Sequence, residues 1–152
     1  MKRRLAREIA VQSLYQMEMN EVSAEEAVAM IVEEAGQEDS EVEAGGSGLQ
    51  ALSRFAYDMV AGVRDHLAEI DDMLQQYLTG WQVDRLSRVD RQILRLAYYE
   101  LVYREDVPPK AVVNEAIELA KHFGTDESGK FVNGVLGRLL KAVEELKAKD
   151  KQ

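Results

Sequence analysis

Four cations, Lys2, Arg3, Arg4 and Arg7, fall within the first seven residues, with one carboxylate, Glu8, directly after them. Such a cluster neutralises phosphates and releases their counterions, so any binding it supports weakens with salt. Arginine adds bidentate hydrogen bonds and stacking on planar bases. A helix that begins at these residues adds backbone N–H donors and a favourable dipole for phosphate. On charge alone, the cluster suits a phosphate-binding surface and a merely solvated terminus equally well. Gln12, two turns further along, carries an amide that can donate to a base or a phosphate.

Other chemistry is sparse. The chain has no cysteine, which excludes disulfides, thiolate zinc sites and thiol nucleophiles and fits a reducing compartment. His66 and His122 lack metal-like spacing to carboxylates and read as ordinary surface histidines. Asp71 and Asp72 are adjacent on a helix and point apart, a poor acid–base pair. Phosphate-loop, nucleophile-elbow and metal signatures are missing from the sequence. The expectation is a non-enzymatic protein with no cofactor and no metal. No apolar run approaches the roughly 20 residues that span a bilayer. No apolar segment follows the basic start, so no signal peptide is read and a cytoplasmic location is expected. The net charge of −9 argues at first against a nucleic-acid partner. Binding depends on local charge, however. Glu38, Asp39, Glu41 and Glu43 gather acid in a stretch with no lysine or arginine, far from the basic start.

Helices must position these groups. The 152 residues suit a single domain, and long stretches without helix breakers favour an all-α fold of about seven helices. The first helix is expected from Arg3 to Asn20, with Leu5, Ala6, Ile9, Ala10, Leu14 and Met17 on its core side. Val11 and Tyr15 fall on the opposite side with Arg4 and Arg7, as a contact surface unless another helix covers them. Ser23 and Glu26 have capping-box spacing and start a second helix that Gly36 ends. Residues 37–48 read as a flexible acidic and Gly-rich surface loop. A long helix is expected from Leu49 to Leu78, broken by Gly80, with a turn or short helix over residues 81–85. Another runs from about Ser87 to Arg104. Pro108 and Pro109 stop one helix and start the next, which Gly124 closes. Thr125 or Asp126 caps the last helix. Within it Gly134 and Gly137, each costing about 1 kcal/mol against alanine, are expected to admit a close neighbouring backbone. Trp81 is expected as a core anchor.

Four ordered segments carry a resemblance to a known family. They are Arg3–Glu8 running into Ala10–Tyr15; Trp81, Arg85, Leu86 and Val89–Arg91 with Ile93–Ala97 and Tyr99–Leu101; Val107-Pro108 with Val113–Lys121; and Phe123-Gly124, Asp126–Ser128 and Lys130–Leu136. Together they resemble the transcription antitermination factor NusB family. The resemblance implies two packed helical bundles and binding to boxA-type RNA. It also implies partnership with NusE, a small-subunit ribosomal protein, within an RNA polymerase antitermination complex. By that resemblance Lys130, Phe131 and Asn133 approach RNA, beside Lys2, Arg3, Arg4, Arg7 and Gln12. Glu127 matches a position by the RNA and NusE surface. Tyr15, Asp84 and Asp90 match NusE-facing positions, where acid suits a basic partner. Phe131 can stack a base or simply pack in the core with Val135. Acidic Asp126 and Glu127 can cap the helix or accept hydrogen bonds from base amino groups.

Three rival readings remain at this level. One is an RNA-targeting subunit of an enzyme such as an RNA cytosine methyltransferase. Another is a protein-only adaptor or homodimer that uses Val11 and Tyr15. The third, a membrane-surface protein using its basic first helix, is disfavoured by the acidic remainder.

Overall fold

Seven α-helices and one 3₁₀ turn make up the computed structural model, which describes residues 3–38 and 47–150. The chain groups into two compact units, residues 1–65 and 66–152. The described residues contain no strand.

The first unit is a three-helix bundle of α1 (Arg3–Asn20), α2 (Ala24–Glu38) and α3 (Ser47–Asp65), each packed on the other two. Ser23 caps α2 as its spacing implies, accepting from Glu26 N at 3.1 Å. The helix runs past Gly36 to Glu38, so that glycine does not end it. Residues 39–46 of the expected loop lie outside the described residues. The Tyr57 hydroxyl donates to Glu25 at 2.7 Å and ties α3 to α2. That bond, with Arg64 beside it at 3.7 Å, holds the Glu25 carboxyl below its ordinary value.

The expected single long helix is two. It breaks at His66, whose φ of −118° and ψ of 19° leave the helical basin, and α4 (Leu67–Tyr77) follows. Apolar periodicity continues through the break, which is why the sequence conceals it. Val83–Arg85 form the 3₁₀ turn, followed by α5 (Arg88–Tyr103), α6 (Pro109–Phe123) and α7 (Asp126–Asp150). In this second unit α5, α6 and α7 pack on one another, and α4 packs on α5 and α7. Ile70, Leu74, Ile93, Leu94, Leu101, Leu136 and Leu139 are buried at its centre. Each such side chain contributes about 1.5–3 kcal/mol through burial. The Arg138 guanidinium donates to the Tyr77 carbonyl at 2.8 Å and satisfies the last turn of α4. His66 is more than a surface histidine: its ring stacks on Tyr103, centroids 4.2 Å apart. Burial, with Glu69 nearby, pushes the Tyr103 hydroxyl up to about 12.

The glycines correct another expectation. A Cβ at Gly137 would meet nothing within 4 Å, and one at Gly134 only the end of Arg138. Within α7 a close contact occurs instead at Gly129, whose added Cβ would lie 3.0 Å from the Lys121 side chain of α6.

Candidate nucleic-acid interface

The residues singled out from the sequence divide between the two units. In the first, α1 buries Ala6, Arg7, Ile9, Ala10, Val11, Ser13 and Leu14. At about 100° per residue, these cover an arc of roughly 200°. A helix so deeply enclosed leaves a narrow outer stripe. Arg4 and Gln12 are exposed on that stripe, with Glu8 and Tyr15 half-buried beside them. Two expectations are thereby corrected. Val11 is 1% exposed and belongs to the core, so the apolar contact pair loses one member. Arg7 is 3% exposed and engaged within the fold, so it presents no free guanidinium to a phosphate. Arg3 is exposed, its guanidinium 5.8 Å from the centroid of Phe55, a cation–π distance. Lys2 lies outside the described residues.

In the second unit, the starts of α5 and α7 flank one groove. Ser87 caps α5, accepting from Asp90 N at 3.2 Å. Thr125, not Asp126, caps α7 by accepting from Ser128 N at 3.3 Å. The groove encloses about 330 Å³ between Trp81, Arg85, Leu86, Asp90, Glu127 and Phe131, with Ser87 and Ser128 completing its wall. Phe131 is half-buried, so its packing and its availability coexist. Glu127 pairs with Lys130 at 3.5 Å, and Asn133 is exposed on the next turn.

Trp81 is the residue that sequence reasoning misjudged. It is 55% exposed, and its ring meets Phe131 edge-on, centroids 6.3 Å apart at 68°. Gln75 explains how a tryptophan can stand outward on a short connection. Its amide nitrogen donates to the Trp81 carbonyl at 2.8 Å. Its amide oxygen accepts from Val83 N at 3.0 Å. Gly80 enters this segment with φ of 77°, a region that favours glycine. The position of Trp81 just after a glycine, away from any apolar stripe, was the available signal.

Asp84 and Asp90 do not share one groove. Asp90 lines the aromatic groove. Asp84 lines a second one, of about 590 Å³, with Asp71, Asp72, Gln75, Arg91 and Arg95. There Arg95 binds both oxygens of Asp71, at 2.8 and 2.7 Å, which uses one member of the Asp71-Asp72 pair structurally.

Residues 4–141 match the model of the NusB family. The chain belongs to that family. A NusB protein of Halalkalibacterium halodurans is 44% identical over 99% of this chain and all of its own length. The Bacillus subtilis transcription antitermination protein NusB is 40% identical, covering 95% of this chain and 99% of its own. Among solved structures, T. maritima NusB superposes with a TM-score of 0.77 at 36% identity, over 93% of this chain and 92% of that one. A structure of antitermination factors NusB and NusE in complex with dsRNA superposes at 0.76 with 29% identity, over 92% and 96%. The fold is thus the all-α, two-bundle arrangement that the family resemblance implied. Among the described residues, no helix is long and apolar enough to cross a membrane.

Proposed function

We propose that this chain is a transcription antitermination factor that binds boxA-type RNA together with NusE, within an antitermination complex on RNA polymerase. The observation that carries this reading is its likeness, over nearly the whole chain, to a NusB seen with NusE and RNA. It acts by binding rather than catalysis, in the bacterial cytoplasm, and both helical units serve one binding module.

Arg3 and Arg4 supply phosphate contacts at the exposed start of α1, with Lys2 ahead of them, and Gln12 adds a polar contact on the same stripe. Lys130, Phe131 and Asn133 serve RNA at the start of α7, where Glu127 can accept from a base amino group. Tyr15, Asp84 and Asp90 face NusE, the acids suiting a basic partner. Arg7 and Val11 hold α1 in place instead. Burial of Val11 also weakens the dimer reading that rested on it.

Coupling between the two partners is reciprocal, so RNA must tighten NusE binding by the factor that NusE tightens RNA binding. The test is titration of labelled boxA RNA and a scrambled control, each with and without NusE, across a range of salt. Tighter binding of boxA, enhanced by NusE, is expected. Equal affinity for both RNAs in every condition would refute the reading.

A further inference from the structure

The groove beside the 3₁₀ turn is better equipped than the family resemblance required, because Trp81 stands in it. We propose that Trp81 is a stacking platform for one splayed-out base of single-stranded RNA, with Arg85 holding the adjoining phosphate. This rests on the RNA-binding reading and extends it to two residues that the sequence did not assign.

Three observations support it. First, Trp81 is 55% exposed although it is the largest apolar side chain in the protein, and its edge-on contact with Phe131 leaves indole surface open. Base–aromatic stacking uses such a surface, and single-stranded RNA recognition depends on it. Second, the Gln75 amide binds the Trp81 carbonyl and, through its oxygen, Val83 N, so the ring is presented from an ordered segment rather than a loose tip. Preorganisation of this kind lowers the ordering cost of binding. Third, Arg85 is an exposed cation in the same groove, while Glu127 offers an acceptor for base amino groups. At about 330 Å³ the groove is of small-ligand size, which suits a base better than a protein helix. Cation, aromatic face and hydrogen-bond acceptor together fit a nucleotide.

The chain has one tryptophan, so its fluorescence reports this site alone. The experiment titrates the intact protein with boxA RNA, following Trp81 emission and, in parallel, anisotropy of labelled RNA. Coincident quenching and anisotropy rise are expected. A scan of single abasic nucleotides should find one position whose missing base abolishes the quench while binding persists. Trp81→Ala should weaken binding between about fivefold and a hundredfold, and Trp81→Phe should retain most of it. Arg85→Ala should flatten the salt slope by about 0.7. Anisotropy rise without quenching, with Trp81→Ala binding as the parent does, overturns the platform and leaves the RNA reading standing. Quenching by NusE alone, with none by RNA, reassigns the groove to the protein partner and overturns it also. Absence of any RNA binding defeats both readings together.

Discussion

The start of α1 and the start of α7 carry the same expectation and are built on different physics. The first turn of α1 holds consecutive exposed arginines and no acid. The first turn of α7 holds Asp126 and Glu127 behind a Thr125 cap, and its chemistry is Phe131 set against Trp81. The first end offers charge alone, and the second offers ring faces and acceptors with Lys130 and the groove's Arg85 as its cations. On the proposed RNA-binding reading, affinity for the sugar-phosphate backbone and affinity for bases should therefore be largely separable. Salt should attenuate the first and spare the second.

The contrast can be broken by mutation. Phe131→Leu keeps an apolar side chain and removes the ring; about a tenfold loss of RNA affinity is expected, equal at low and high salt. A loss that vanished at one salt concentration would dissolve the distinction. Replacing Arg3 and Arg4 together by alanine should cost less, about fivefold near physiological salt, while flattening the salt slope by about 1.4. An unchanged slope removes both from the interface. Thr125→Ala should lower stability by about 1 kcal/mol through loss of the α7 cap, visible in thermal unfolding. It should touch RNA binding only through the aromatic end. Gly137→Ala is expected to raise stability by somewhat under 1 kcal/mol, because its Cβ meets open space in a helix. It should leave RNA binding unchanged. The smallest effect concerns neither end. Tyr103 is raised from 10.0 to about 12, so its contribution to stability is intact below pH 10 and is lost as pH climbs towards 12. Tyr103→Phe should unfold less steeply over that window in alkaline melts.

Much of the architecture was legible because apolar spacing and capping residues agree. Ser23 caps α2 as its spacing announced, and Ser87, expected only near the start of α5, proves to be its cap. Pro109 begins α6 where proline is tolerated. The failures share a cause. Periodicity shows which side of a helix is apolar but not how many neighbours enclose it, so Arg7 and Val11 looked exposed on a helix buried over more than half its circumference. It also cannot register a break such as His66 that preserves the stripe on both sides. Trp81 was judged by residue type, whereas its exposure follows from the Gln75 hydrogen bonds, which join residues six and eight apart. Gly134 and Gly137 were read as packing sites because helical glycine is costly, yet nothing in the structure explains them.

The withdrawal of Arg7 has a wider consequence when set beside Arg91 and Arg95. All three are buried, while Glu100 is the lone carboxylate so placed among the described residues. The net charge stays −9, but fewer arginines face solvent than the sequence alone suggests. On the proposed RNA reading, a net charge of −9 opposes non-specific approach of other transcripts within a screening distance of about 8 Å. On the same reading, encounters are steered to surfaces where cations such as Arg3, Arg4 and Arg85 are exposed. An acidic exterior in this way acts as a kinetic filter against indiscriminate polyanion capture.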